Sequence, residues 1–373
     1  MKIAIMAPLV TAIREPQRGG SQAFVSDLAQ GLTDRGHEVH VYAASGSEIP
    51  GVKVIDTGAD PQALAGTLYR AGAGEPADPG SASRSGSASA AAEAAFAAAY
   101  ATMRQTRYDV IHNHAFDAPA VKLATALPAP VLHTLHLPPD QAVKTALRRA
   151  ALSGSPPSVA TVSGFQATAW RVVTRVDAVL RPCVPTRLIG WSPAAGQGAV
   201  FAGRLSPEKG AAEAIDIARA AGVAIDVYGD PYDPDYAREQ IAERRDRPGV
   251  TVHQAVPRES LWVAMARAAV VLCPARWDEP FGMAAAEAQA CGTPVVAFER
   301  GGLAEVIADG VTGFLVPTDD IQAAVDAVRR TAGISRAACR GHAEQHLDLE
   351  QSLEAHERFY RRMVSGAGEA ADG

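Results

Sequence analysis

The sequence lacks the features of nucleic-acid-binding and membrane-spanning proteins. Its 35 Lys and Arg residues are outnumbered by 41 Asp and Glu residues, and the net charge is −6. A chain with this charge has no basic surface to release counterions from a phosphate backbone, so we expect no DNA or RNA partner. No apolar run approaches the roughly 20 residues of a membrane-spanning helix. We therefore expect no transmembrane segment.

Cysteine is also scarce, with four residues that lie far apart in the chain: Cys183, Cys273, Cys291 and Cys339. They form no Cys-x-x-Cys pair, and no histidine stands near them at zinc spacing. We interpret them as reduced thiols of a cytoplasmic protein, with peripheral attachment at the inner membrane face as the alternative. The first ten residues resemble a signal peptide, but Pro8, Arg14 and the lack of a small-residue cleavage site favour a buried first strand.

Candidate metal ligands are equally few. The one Asp-x-Asp pattern, Asp233–Asp235, contains Pro234 and is more typical of a turn that caps a helix than of a metal site. We therefore expect that the protein requires neither a metal nor another cofactor.

Short runs rich in Val and Ile alternate with amphipathic stretches along the whole chain, which predicts an α/β fold built from parallel sheets. A chain of 373 residues exceeds what one hydrophobic core usually supports, so we expect two doubly wound domains. The predicted strands lie near residues 3–6, 39–43, 110–112, 131–134, 159–162, 198–201, 224–228, 251–253, 270–272, 294–297 and 313–316.

Proline-rich sequence between residues 181 and 196 marks the predicted linker. We expect an N-terminal domain at 1–185, a C-terminal domain at 186–346, and a final helix and tail at 347–373 that pack back on the first domain. Residues 71–95 form a Gly/Ser/Ala tract, which predicts a mobile loop leading into a helix near Ala90, with a lid as the alternative.

Two glutamates flank the predicted start of a helix in the second domain. Glu279 stands in a turn, and Glu287 follows Phe281, Gly282 and Met283 inside the helix. Free amide groups at such a helix start form an anion site that suits a diphosphate. Glu287 lies roughly five residues further on, on the order of 7 Å along the axis, within reach of a ribose. Solvated surface charges are the alternative interpretation.

A second glycine-bounded loop, Gly203–Gly210, also precedes a helix. Gly203 allows the backbone to approach a ligand, and Arg204 and Lys209 supply two positive charges that offset a departing nucleoside diphosphate. The chain has only five lysines, so a lysine in this loop is a stronger indication of a functional role.

These two segments, together with 292–297 and 301–316, resemble the motifs of family-4 (group 1) retaining glycosyltransferases with the GT-B fold. The resemblance extends from Met1 to about Met363. It implies two Rossmann-like domains that face each other across a cleft, with the acceptor in the first and a nucleotide sugar in the second. It further implies that Glu279 and Glu287 bind donor sugar and ribose, and that Arg204 and Lys209 bind the diphosphate.

The nucleobase loop departs from the family pattern, because Gln254 stands where a glycine is expected. Val256 and Arg258 are candidate base contacts, and a surface turn that opens a helix is the alternative. The resemblance favours UDP as the nucleotide, with GDP next.

In the first domain, Gly19 and Gly20 precede a predicted helix and resemble the first glycine-rich loop of the family, which implies a phosphate contact. His136 ends a predicted strand and matches the active-site histidine of the family, whereas His133 does not. His112 and His114 also end a strand, where they either help to bind the acceptor or belong to the core.

The resulting hypothesis is the transfer of a hexosyl-type group from a nucleoside diphosphate to an acceptor hydroxyl with retention of configuration. The acceptor is a small molecule, a saccharide or a lipid-linked compound. The catalytic residues are predicted as His136, Arg204, Lys209 and Glu279. A sugar-nucleotide epimerase or hydrolase is the first rival, and a non-glycosidic coupling enzyme with the same donor pocket is the second.

Overall fold

The computed structural model describes residues 1–64, 79–153, 156–194 and 196–371, with the backbone alone at 79–88 and 367–371. Residues 71–78 of the predicted 71–95 loop lie outside the described residues.

The contacts divide the chain into two compact units. The first comprises Met1–Arg14, Ser21–Arg181 and Ser352–Gly373, and the second comprises Glu15–Gly20 and Pro182–Gln351. The units therefore meet in sequence at Pro182, a few residues before the predicted boundary at 185. The short segment Glu15–Gly20, which we assigned to the first domain, groups with the second unit.

The first unit contains a seven-stranded parallel sheet with the order β3-β2-β1-β4-β5-β6-β7. Its strands are β1 (Lys2–Met6), β2 (Glu38–Ala43), β3 (Lys53–Asp56), β4 (Val110–Asn113), β5 (Val131–Leu135), β6 (Ser158–Thr161) and β7 (Ala178–Val179).

The second unit contains a six-stranded parallel sheet with the order β10-β9-β8-β11-β12-β13. Its strands are β8 (Ala199–Ala202), β9 (Ile225–Tyr228), β10 (Val250–His253), β11 (Val270–Cys273), β12 (Val295–Phe298) and β13 (Gly313–Val316).

Helices connect the strands of both sheets. In chain order they are α1 (Gly20–Asp34), α2 (Pro79–Met103), α3 (Ala118–Ala124), α4 (Gln141–Leu152), α5 (Gly164–Arg171), α6 (Ala211–Ala221), α7 (Pro234–Tyr236), α8 (Ala242–Arg245), α9 (Arg258–Arg267), α10 (Met283–Ala290), α11 (Leu303–Val306), α12 (Ile321–Arg330), α13 (Arg336–His346) and α14 (Leu349–Ala371). Short 3-10 turns lie at Thr186–Leu188, Pro207–Lys209 and Thr331–Gly333, and a π turn at Ala237–Ile241.

Helix α2 corrects one prediction, because it begins at Pro79 and not near Ala90. Proline suits the first position of a helix, since its fixed φ is already helical and its missing N–H is not needed there. Helix α14 continues to Ala371 and therefore includes residues that we expected to form a tail.

Each sheet has helices on its faces, so its central strands are buried on both sides and consist of nearly continuous apolar residues. In β1, Ile3, Ile5 and Met6 are fully buried, and in β12 Val295 and Phe298 are. The core of the second unit packs the alanine-rich face of α6 and one face of α12 against β8, β9 and β12.

The strand order places one topological switch point in each sheet, between β1 and β4 in the first unit and between β8 and β11 in the second. Open α/β sheets bind ligands beyond the carboxyl ends of the strands at such points. In the second unit, the loops that follow β8 and β11 are Gly203–Gly210 and the segment that contains Glu279. The topology therefore brings together the two motifs that the sequence singled out.

Candidate active site

The loop after β8 is held close to the loop after β11 by glycines. Gly210 has φ +75°, and a Cβ there would lie 2.0 Å from the carbonyl oxygen of Pro274. The amide of Gly203 donates to the carbonyl oxygen of Tyr228. A Cβ on Gly229 would overlap the carbonyl oxygen of Gly203. These positions need glycine because backbone meets backbone.

Arg204 and Lys209 each form an ion pair at these two loops. Nη2 of Arg204 lies 3.2 Å from Oε1 of the buried Glu208, and its guanidinium stacks 4.1 Å above the ring of Tyr232. These two contacts hold the guanidinium in one orientation. Its planar set of N–H donors is the geometry with which arginine recognises phosphate. Each pairing leaves other N–H groups for a ligand.

Lys209 and Glu279 form the closest ion pair of the predicted site. Nζ of Lys209 donates to Oε2 of Glu279 at 2.6 Å, and Nε1 of Trp277 donates to the same oxygen at 2.8 Å. The ammonium also lies 4.8 Å from the centre of the Trp277 ring. We had assigned Lys209 and Glu279 to different parts of the donor, so their direct contact refines that assignment. The described residues supply no hydrogen-bond donor to the other carboxylate oxygen of Glu279, Oε1.

Cys273 ends β11 beside this pair. Burial raises the pKa of its thiol to about 12, and the charge of Glu279 adds to the increase. The thiol is therefore protonated at neutral pH and is a poor nucleophile.

The loop after β12 contacts the backbone of Glu279. The amide of Gly302 donates to the carbonyl of Glu279 at 2.6 Å, and a Cβ on Gly301, which has φ +62°, would lie 2.3 Å from that carbonyl oxygen. The paired glycines thus let the β12 loop press against the backbone of Glu279 and Pro280. The sequence showed the two glycines but not this use of them.

Helix α10 starts directly after Gly282, which has φ +109°. Among the described residues, none accepts a hydrogen bond from the amides of Met283 and Ala284, the first two of the helix. Phe281 is buried, and Gly20 approaches Met283 so closely that a Cβ on Gly20 would lie 2.9 Å from its Cγ. The segment that carries Gly19 and Gly20 therefore meets the helix start that we assigned to the diphosphate.

Glu287 lies inside α10 and is not a solvated surface charge, because the residue is 6% exposed. Its Oε1 pairs with Nε and Nη2 of Arg258, each at 3.0 Å. The backbone amide of Arg258 donates to Oε2 of Glu15. Arg258 is thus a partner of Glu287, a contact that we did not predict. Val256 lies half-buried in the loop between β10 and α9.

His136 lies in the first unit and is 7% exposed. Its Nε2 is 2.9 Å from Nδ1 of His114, and His114 in turn contacts His112. His112 and His114 are fully buried, which favours the core interpretation for both. His133 is also buried and contacts Asn113.

Asp233 caps a helix, as we predicted. Its side chain accepts from the amides of Asp235 and Tyr236 at the start of α7. The described part of the chain contains no group of three or more His, Cys, Asp or Glu residues placed to hold a metal ion.

Sequence reasoning missed Trp277, Tyr232 and the pairing of Arg258. Trp277 stands two residues before Glu279. A tryptophan in the loop after a central strand could have been recognised as a candidate site residue. Tyr232 gave no signal, because it approaches the site from the loop after β9. Arg258 was a candidate base contact, but nothing in the local sequence indicated its pairing with Glu287.

The two parallel sheets and the charged, glycine-supported cluster at the second switch point define a glycosyltransferase of the GT-B fold. Residues 196–333 match the family described as glycosyl transferases group 1, and residues 18–183 match Glycosyltransferase Family 4. The chain belongs to the family-4 (group 1) glycosyltransferases.

Among curated relatives, D-inositol 3-phosphate glycosyltransferase of Mycolicibacterium smegmatis is 28% identical, over 92% of this chain and 87% of that protein. The enzyme of the same name from Mycobacteroides abscessus is 37% identical over 153 residues, which is 38% of this chain and 34% of that protein. The match with the higher sequence identity is therefore confined to part of the chain.

Solved structures share the whole fold. AviGT4, a glycosyltransferase involved in avilamycin A biosynthesis, has a TM-score of 0.67 at 24% identity and covers 98% of both chains. Sucrose-phosphate synthase of Thermosynechococcus elongatus has a TM-score of 0.75 at 20% identity, over 98% of this chain and 100% of that one. HepE of Anabaena, solved with UDP and glucose, has a TM-score of 0.70 at 21% identity, over 96% and 99%. In the part of our chain that is described, no helix is long and apolar enough to cross a membrane.

Proposed function

We propose that this protein transfers a hexosyl group from a nucleoside-diphosphate sugar to an acceptor hydroxyl, with retention of anomeric configuration and without a metal. One observation carries the proposal. The Lys209–Glu279 pair, the guanidinium of Arg204 and the first amides of α10 all lie on or next to the loops that follow β8 and β11 at the switch point of the second sheet.

The leaving diphosphate is the group that these residues suit. Its charge is offset by Arg204 and Lys209, and its oxygens accept from the amides of Met283 and Ala284 at the positive end of the α10 dipole. Charged donors fixed before the reaction stabilise the departing group without reorganisation, which is the largest catalytic effect in many enzymes. The proposed role of the second unit is therefore to stabilise the diphosphate as it departs.

The sugar and ribose are held by carboxylates. Oε1 of Glu279 accepts from a sugar hydroxyl while Lys209 and Trp277 hold Oε2, and Glu287 accepts from the ribose hydroxyls. Since Glu287 pairs with Arg258 in the free protein, a bound ribose either shares Glu287 with Arg258 or displaces it. Gly19, Gly20 and Gly203 keep backbone, not side chain, next to the phosphates, and Phe281 and Gly282 shape the turn before α10. Val256 and Arg258 stay our candidate base contacts, and His136 our candidate contact to the reacting sugar.

The proposed step needs no covalent intermediate on the enzyme. The bond between the anomeric carbon and the diphosphate oxygen breaks, the acceptor oxygen attacks the same face, and the acceptor proton passes to the departing diphosphate. The protonated thiol of Cys273 is not poised to act as a nucleophile. Because a curated relative that matches 92% of this chain is a D-inositol 3-phosphate glycosyltransferase, D-inositol 3-phosphate is the first acceptor that we would test.

A thermal-shift series tests the donor assignment. We expect UDP to raise the melting temperature most and GDP next, while UMP, which lacks the second phosphate, gives a much smaller shift. At 100 times Kd the expected stabilisation is about 2.7 kcal/mol, which corresponds to a shift on the order of 5–10 °C.

The Lys209→Met variant provides the comparison, because it keeps the side-chain stem and removes the charge, and Lys144→Met on α4 is its matched control. The difference between UDP and UMP should shrink in Lys209→Met and persist in Lys144→Met. Equal shifts by UDP and UMP in the unaltered protein would count against a diphosphate site.

A further inference from the structure

The part of the first unit that lies between Asp140 and Asp177 contains no acidic side chain. Residues 141–176 include neither Asp nor Glu. They include five basic residues, which are Lys144, Arg148, Arg149, Arg171 and Arg175. At physiological ionic strength, charges more than roughly 8 Å apart are largely screened, so carboxylates elsewhere in the chain do not cancel this local excess.

Helices α4 and α5 carry or adjoin these basic residues, and they lie on the same face of the first sheet. Helix α4 connects β5 to β6, and α5 connects β6 to β7. The three strands are parallel neighbours in that order, and crossovers between parallel strands are right-handed, so both helices cover one face. Leu147 of α4 and Trp170 of α5 belong to one core cluster. Each helix returns the chain to the start of the next strand, so the last turns of both helices lie at the same edge of the sheet.

The ends of both helices present apolar side chains to solvent next to their basic residues. Leu152 at the end of α4 is 87% exposed, and Val172, directly after α5, is 82% exposed. On α4, Lys144, Arg148 and Leu152 follow one another at intervals of four residues, so they form one stripe along the helix. The exposed edge therefore combines positive charge with apolar surface.

The charge of this edge is not used up by carboxylates. Arg148, Arg149 and Arg171 are exposed. Of the five basic residues, Arg175 alone forms a salt bridge with a described residue, the carboxylate of Asp177. The structure therefore corrects our expectation, drawn from the net charge of −6, of a chain without a basic surface.

Helix stability explains only part of this arrangement. Arg149 and Arg171 stand in the last turns of their helices, where a cation interacts favourably with the helix dipole. The dipole does not explain Lys144 near the start of α4, nor two large apolar side chains held in water. Cations and apolar side chains together suit an anionic bilayer, because lipid phosphates lie next to acyl chains there. A nucleic acid would supply phosphates but no apolar layer for Leu152 and Val172.

Six residues define this surface, which we call the α4–α5 patch: Lys144, Arg148, Arg149, Leu152, Arg171 and Val172. We propose that the α4–α5 patch binds the surface of an anionic lipid bilayer. Leu152 and Val172 enter the boundary between headgroups and acyl chains, and the four basic residues bind lipid phosphates. Each basic residue near such a surface strengthens binding about fivefold, and salt weakens it. The proposal takes up the peripheral attachment that the sequence left open, and it does not depend on which reaction the protein catalyses.

Flotation of the full-length protein with lipid vesicles tests this binding. We expect the protein to float with vesicles of equal parts phosphatidylcholine and phosphatidylglycerol in about 0.1 M salt, to float much less in about 0.5 M salt, and not to float with phosphatidylcholine alone. Arg148→Glu combined with Arg149→Glu should lower the partition coefficient by about 25-fold or more. The matched control is Arg219→Glu combined with Arg267→Glu, because both are exposed arginines of the second unit without a salt bridge to a described residue. This control should bind as the unaltered protein does.

Leu152→Ser distinguishes a bilayer from a nucleic acid. It removes apolar surface but no charge, so it should weaken vesicle binding about 5- to 20-fold. No flotation of the unaltered protein with anionic vesicles would overturn the proposal, and so would flotation that the double Arg148→Glu, Arg149→Glu variant retains. Vesicle binding that Leu152→Ser leaves unchanged, with equal affinity for duplex DNA, would refute the lipid assignment in favour of a general polyanion site. All the substituted side chains are exposed, so each variant should keep the melting temperature of the unaltered protein, which is measured alongside.

Discussion

Replacement of Lys209 by alanine is expected to lower kcat by about 10²- to 10³-fold, the loss typical of removing one donor that stabilises charge developing in a transition state. The ammonium contacts Glu279 in the free protein and has further N–H groups for the diphosphate. Its charge matters most when the leaving group departs, because the negative charge on the diphosphate increases at that moment. KM for the donor should therefore change less than kcat.

The comparison requires equal amounts of folded protein, because the variant leaves the carboxylate of Glu279, 14% exposed, with Trp277 as its remaining donor. Lys209→Arg restores a cation in a different shape and should recover part of the activity. Lys122→Ala, which removes an exposed lysine paired with Glu93 in the first unit, should behave as the unaltered protein. Equal turnover in the unaltered protein and Lys209→Ala would remove Lys209 from the mechanism.

Mild acid is expected to destabilise the first unit strongly. Burial lowers the pKa values of His133, His136 and His356 to about 4, and those of His112 and His114 well below their ordinary range. In the unfolded chain histidine titrates near 6.5, so below that pH unfolding takes up protons. The stabilisation from neutral burial is complete above pH 6.5 and is lost as the pH falls from 6.5 towards 4. Each histidine at about 4 then costs about 1 kcal/mol at pH 5.5 relative to pH 7.5.

Urea unfolding at pH 7.5, 6.5 and 5.5 measures this loss, and hydrogen exchange of peptides that contain β4 and β5 locates it. The unfolding free energy should be nearly constant above pH 7 and fall steeply below 6.5, with an uptake of at least two protons. His133→Asn, which removes one of these buried imidazoles, should reduce that uptake by about one. A stability that is flat down to pH 5.5 would contradict the neutral burial of these rings.

The fold could be predicted from the sequence to the extent that burial determines local composition. All eleven predicted strands exist, because strands of a parallel sheet that are covered on both faces must be short apolar runs. The two that were missed, β3 and β7, lie at the edges of the first sheet. Strand β3 has two apolar residues between Lys53 and Asp56, and β7 has two residues in all, so neither carries a usable pattern.

The residues of the candidate site could be singled out from the sequence where a particular residue type stands next to a turn. Gly203 follows β8, Lys209 and Gly210 precede α6, and Glu279 and Glu287 lie on either side of the start of α10. The topology brings these segments together. Partners supplied from distant positions were not predictable. Arg258 reaches Glu287 across 29 positions and Tyr360 reaches His112 across 248, and local sequence contains no trace of such pairings.

The anomeric configuration of the product tests the central claim most directly. The enzyme is incubated with a series of UDP-α-hexoses, each together with D-inositol 3-phosphate, and the product is followed by proton NMR from the first turnover. We predict an acceptor-dependent glycoside whose anomeric proton shows the α-configuration of the donor. A β-linked product, or conversion of the donor at the same rate without acceptor, would contradict retaining transfer by this protein.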